Sequence, residues 1–204
     1  MNGSVLSKLY DDPSVRTRGD IDLYVDIADF NKAKSLLLDN GYIIDTNGVD
    51  CTHHIGLIKN NIEVELHFNM IDSDKNKKWI NLFKDPFKLS NLENESLYKL
   101  NDTYHFIYCL IHFASHLRHG AGIRYILDFY YMLSKTNIDF SLLHKEIKRL
   151  DIEVLYNNVI NAIDTIIGIR YDEEVDKEDV TFFIDYMMMH GIHGHSNNET
   201  SMAS

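Results

Sequence analysis

Up to about residue 75 the chain alternates apolar and polar residues in short runs, at 21–25, 42–45, 54–58 and 62–68, each bounded by Gly, Asn or Asp. Period-two runs of this length predict half-buried β-strands. Between the first two, Phe30, Ala33, Leu36 and Leu37 recur at helical spacing, with Asp26 and Asp29 near the start and Gly41 just past the end. That order predicts a helix closed by a left-handed glycine, and hence a β-α-β unit. The step Lys59-Asn60-Asn61 into Ile62 predicts a hairpin, because Asn tolerates the positive φ of a tight turn. After residue 75 the period becomes helical. Apolar positions three and four apart run through 102–118, 123–135, 140–149, 152–167 and 178–190, joined by short polar links. The expected fold class is α+β: a small mixed β-sheet core over residues 1–75, then a helical bundle over 76–195. The polar end, residues 196–204, has nothing to bury and is expected to be a disordered tail.

Two strands carry acids in the same pattern. In Gly19-Asp20-Ile21-Asp22-Leu23-Tyr24-Val25, Asp20, Asp22 and Tyr24 share one face and the aliphatic residues the other. Same-face neighbours stand roughly 7 Å apart at the backbone, so two flexible carboxylates can converge on a divalent ion. In Ile62-Glu63-Val64-Glu65-Leu66-His67-Phe68 the acids and His67 again face away from the apolar residues. If the strands are neighbours, a third carboxylate completes the cluster used by two-metal phosphoryl chemistry. Glu65 is central on its strand and Glu63 lies near the hairpin, so Glu65 is the expected third acid. The plain alternative is the solvated face of an antiparallel sheet.

Charge narrows the partners. With 20 Lys and Arg against 31 Asp and Glu, the 204-residue chain has a formal net charge of −11, the wrong sign for nonspecific nucleic-acid binding. A nucleotide remains compatible, since it needs only local cations. Cys51 and Cys109 are far apart, which suggests reduced thiols and a cytoplasmic location. No apolar stretch approaches the roughly 20 residues of a membrane span.

The run from Asn2-Gly3-Ser4 through Tyr10, Pro13 and Arg16 to Asp20-Ile21-Asp22-Leu23 resembles the family of uncharacterised nucleotidyltransferases, of the superfold that includes polymerase-beta-like and aminoglycoside nucleotidyltransferases. The likeness continues through Lys32-Ala33, Gly41-Tyr42, Val64-Glu65-Leu66-His67, His112 to His116, Arg124, Leu127-Asp128 and Gly191 to Gly194. It implies that Asp20 and Asp22 bind Mg²⁺ or Mn²⁺ while the Gly3-Ser4 turn lines the triphosphate. Glycine lets backbone amides approach phosphate, and a following helix start adds its positive end. Arg16 and Arg18 precede the acidic strand and suit bidentate phosphate contact, with an ion pair to Asp11 or Asp12 as their alternative. Asn2 stands where the family places Lys, and only Met1 and Asn2 precede Gly3 where the family has a strand. An N-terminally short member, ending early after Gly194, is therefore expected.

His112 and His116, four apart on a helix, have a spacing that binds zinc, but Phe113 stands where the zinc-protease pattern has Glu. The resemblance instead makes them groove-lining, together with His67, Arg124 and Asp128. His53 and His54 precede a strand, where they flank the site or, as the plainer reading, are ordinary; His119, His190, His193 and His195 fall near loops. The implied activity is Mg²⁺-dependent transfer of a nucleoside monophosphate from an NTP to an unknown hydroxyl or phosphate acceptor, with Asp20, Asp22 and Glu65 catalytic. The alternatives are an inactive nucleotidyltransferase-like accessory module and a helical histidine metalloprotein.

Overall fold

The computed structural model describes residues 3–16, 20–45, 53–117 and 120–192, apart from the side chains of Gly3, Ser4 and Asp20. Arg18, Cys51, His119, His193, Gly194, His195 and the tail 196–204 lie outside the described residues. The chain divides into two compact units, Met1–Asn101 and Asp102–Ser204.

The first unit begins with α1 (Gly3–Leu6), which tightens into a 3₁₀ turn over Ser7–Leu9 and stops where Tyr10 turns extended. A second 3₁₀ turn, Pro13–Val15, is opened by Asp12, whose carboxylate accepts from the Ser14 N–H at 2.9 Å. Then follow β1 (Asp20–Tyr24), α2 (Phe30–Asp39), β2 (Ile43–Ile44), β3 (His54–Lys59) and β4 (Ile62–His67). α2 ends as its pattern predicts, with Gly41 at φ +84° and the Asn40 side chain donating to the Leu36 carbonyl.

These strands form one mixed sheet in the order β1-β4-β3-β2, with β1 parallel to β4 and the other pairs antiparallel. β1 and β2 are therefore parallel to each other, as a helical crossover requires, but the β3–β4 hairpin has inserted between them. Asn60 and Asn61 have φ of 51° and 61°, the doubly positive turn that suits the strands' twist. This turn fixes the register, setting Lys59 against Ile62 and His54 against His67. Leu57, Val64 and Leu66 are buried on the sheet's apolar face, each contributing about 1.5–3 kcal/mol of transfer free energy. A slip of one residue would turn them to solvent and the acids inward. The unit continues with α3 (Lys77–Leu82), a 3₁₀ turn at Pro86–Leu89 and the small ribbon β5 (Ser90–Leu92) with β6 (Tyr98–Leu100).

The second unit is helical: α4 (Asp102–Leu117), α5 (Arg124–Lys135), α6 (Phe140–Arg149), α7 (Glu153–Ile167) and α8 (Thr181–Met189). α4 is buried around most of its circumference, which makes it the centre of a bundle. It packs on α5, α6 and α7, and α8 packs on α7. Asp139 caps α6 by accepting from the Leu142 N–H at 3.0 Å, and Gly168 closes α7 at φ +78°. No helix among the described residues is long and apolar enough to cross a membrane.

Candidate functional site

The register of β1 and β4 sets Asp20 beside Glu63 and Asp22 beside Glu65. Like charges directly opposed across a ladder destabilise it, and here two such rungs follow one another. Nor is this a solvated face, because the Asp22 and Glu65 side chains keep only 10% and 22% of their exposure. Both carboxylates turn to one atom. His67 Nε2 lies 3.3 Å from Asp22 Oδ1 and 3.1 Å from Glu65 Oε2, so a single N–H serves two acceptors. Burial pulls the His67 pKa down, but hydrogen bonds to Asp22 and Glu65, and their charges, outweigh it and leave the value raised. The hydrogen bond from His67 holds Glu65 below the ordinary carboxylate value against the opposing effect of burial.

The hairpin brings two further imidazoles to this place. His54 sits opposite His67 on β3, with its Nε2 3.5 Å from Glu65 Oε1 and its Nδ1 3.1 Å from His53 Nε2. Gly56 is the register partner of Glu65, so no β3 side chain stands directly across from that carboxylate. His53 Nδ1 lies 3.5 Å from Asp72 Oδ2 without hydrogen-bond geometry. Burial, then the neighbouring His54 and His67, lower the pKa of His53 and favour its neutral form. Two overlapping sets of side chains each bring one ligand atom per residue within 4.8 Å of the others: Asp22, Glu65 and His67, and His53, His54 and His67.

The other sequence candidates fall in several places. Asp20 opens β1, but its side chain is outside the described residues, as are those of Gly3 and Ser4 at the start of α1. Arg16, at the end of the second 3₁₀ turn, is buried. In the second unit, His112 and His116 lie one turn apart on α4 with their Nε2 atoms 3.2 Å apart. Arg124 begins α5, and Asp128, one turn on, is buried. His53 and His54, expected at most to flank the site, and Asp72, which carries no sequence signal, join the cluster. The signal for His54 was present: once Asn60-Asn61 is a two-residue turn, counting back along both strands places His54 across from His67.

The sequence profile of a family described as Uncharacterised nucleotidyltransferase matches residues 1–166, which takes in the first unit and the second as far as α7. No curated protein matches, and neither does any solved structure.

Proposed function

We propose that this chain, which belongs to the Uncharacterised nucleotidyltransferase family, moves a nucleoside monophosphate from an NTP to a hydroxyl or phosphate acceptor and releases pyrophosphate. The observation that carries the reading is the convergence of Asp22 and Glu65, register neighbours on parallel strands, on one ring nitrogen of His67. Two half-buried carboxylates held side by side at one N–H bring like charges together, and a hard divalent cation prefers oxygen donors of this kind. Asp22 and Glu65 fit Mg²⁺ or Mn²⁺, which Asp20, Asp22 and Glu65 would hold. When bound, such a cation neutralises developing charge on the phosphates.

The remaining tasks fall to the chain. An acceptor oxygen forms a bond to the α-phosphorus as the bond to the bridging oxygen of pyrophosphate breaks. Glu65, held below the ordinary carboxylate pKa by its hydrogen bond from His67, holds the second metal or, as the alternative, accepts the acceptor's proton. His67, almost fully buried, fixes the aim of both carboxylates. The backbone at the start of α1 (Gly3, Ser4) takes the triphosphate, with the guanidinium groups of Arg16 and Arg18 as bidentate partners. The expected setting is the cytoplasm. The test is NTP binding and pyrophosphate release by purified protein with Mg²⁺ or Mn²⁺ and a panel of hydroxyl acceptors. Absence of both excludes the enzyme and favours the accessory module.

A further inference from the structure

Each imidazole in the β3–β4 cluster turns one nitrogen to a carboxylate, and the second nitrogens of His53 and His54 face each other. His67 gives Nε2 to Asp22 and Glu65, and its Nδ1 is buried with no hydrogen-bond partner among the described residues. His54 turns Nε2 to Glu65 Oε1 and Nδ1 toward His53. His53 turns Nδ1 to Asp72 Oδ2 and Nε2 toward His54. This is how metal-binding histidines are commonly held, with one ring nitrogen on a carboxylate that fixes the tautomer and the other on the ion. We infer that His53, His54 and His67 form a nitrogen-donor site for one late first-row divalent cation, Zn²⁺ foremost, bound through one ring nitrogen of each.

The dimensions suit it. Tetrahedral zinc with Zn–N bonds of about 2.1 Å separates its ligand atoms by about 3.4 Å. His53 Nε2 and His54 Nδ1 are 3.1 Å apart, and one nitrogen from each of the three rings lies within 4.8 Å of the others. A hydrogen bond between His53 and His54 explains that one contact, but it leaves the buried Nδ1 of His67 unexplained. Three neutral imidazoles select zinc and its neighbours over Mg²⁺, which prefers oxygen. Three protein ligands leave the fourth position to water or a substrate oxygen, the composition of a catalytic zinc site. The inference does not depend on nucleotidyl transfer, although Glu65 and His67 belong to both sites. One face of the sheet thus offers an oxygen-rich position and a nitrogen-rich position, joined through Glu65.

The test uses the full chain stripped with a chelator and titrated with Zn²⁺, and separately with Co²⁺, in the absence of nucleotide. We expect one zinc per chain and the intense visible spectrum of tetrahedral Co²⁺ bound by imidazole. His54→Ala, checked for native circular dichroism, should lower zinc affinity by more than about 100-fold, beyond the 10–100-fold that loss of an outer partner costs. Asp72→Asn should fall within that 10–100-fold range. The proposal is overturned if the wild-type chain takes up no zinc, or if its Co²⁺ spectrum is weak and octahedral. Equal zinc affinity in folded His54→Ala, or loss of zinc only on His112→Ala or His116→Ala, overturns it as well. The Co²⁺ spectrum needs no variant, so misfolding of a mutant leaves the question decidable. Failure of Mg²⁺-dependent NTP binding in zinc-free protein would count against nucleotidyl transfer alone.

Discussion

Each unit has a cluster in which carboxylate meets imidazole, and the two differ in how donors and acceptors balance. In the helical unit the buried Asp172 has donors to spare. Its Oδ2 accepts from Tyr156 Oη at 2.5 Å and pairs with His144 Nε2 at 2.6 Å, and its Oδ1 accepts from the Glu174 N–H at 3.0 Å. Burial opposes its ionisation, yet the bonds from Tyr156 and His144 win and hold its pKa below the ordinary value. Burial and Asp172 push the Tyr156 phenol far upward, so it remains a donor. One carboxylate with three partners is a closed structural device that ties the loop after α7 to α6 and α7. On the sheet, two carboxylates meet at one N–H of His67, whose other ring nitrogen has no hydrogen-bond partner among the described residues. A polar cluster whose carboxylate is ringed by donors holds a fold together, and one that sets two carboxylates side by side has a place for a cation.

The largest expected effect that would break this contrast is on stability. Asp172→Ala strands the buried Tyr156 hydroxyl and takes one of the two carboxylates from His144, and should cost about 3–5 kcal/mol of unfolding free energy by chemical denaturation. NTP binding per folded molecule should stay unchanged. Asp22→Asn should do the reverse. Pyrophosphate release should fall by about 100-fold or more, since the cation's hold on transition-state charge is worth several kcal/mol and each 1.4 kcal/mol is tenfold. Stability without metal should hold or rise by up to about 1 kcal/mol as a like-charge rung is relieved. A comparable loss of stability in both variants would erase the distinction.

The pH dependence sharpens it further. Asp172 has a lowered folded pKa, so its contribution is full above its unfolded value, near 3.9, and disappears as the pH falls through the lower folded value. Wild-type stability should therefore drop more steeply than that of Asp172→Asn below about pH 4, as read by denaturation at stepped pH. The smallest effect is expected of Tyr156→Phe, about 1 kcal/mol, because it removes one of three donors and leaves the carboxylate satisfied.

Much of this was legible in the sequence. Period-two runs gave the four main strands, helical spacing gave α2 and α4 to α8, and Asn60-Asn61 gave the hairpin. The adjacency of β1 and β4 was not legible, because parallel pairing across 40 residues leaves no local trace, and that adjacency puts Asp22 beside Glu65. The segment 76–101 hid its structure, since a six-residue helix and two three-residue strands are too short to show a period. Asp172 sat in what reads as a polar link between helices, where nothing announces that Tyr156, 16 residues earlier, points to it. His53 and His54 looked ordinary because their meaning lies across the hairpin and not along the chain.

The central claim is that the acidic face of the sheet is a cation site and not merely a strained ladder. It is tested most directly by the thermal stability of wild-type and Asp22→Asn protein, each with and without saturating Mn²⁺. Mn²⁺ at 100 times its dissociation constant should stabilise the wild type by about 2.7 kcal/mol and leave Asp22→Asn nearly unmoved. An equal response in both proteins, or none in the wild type, would contradict it.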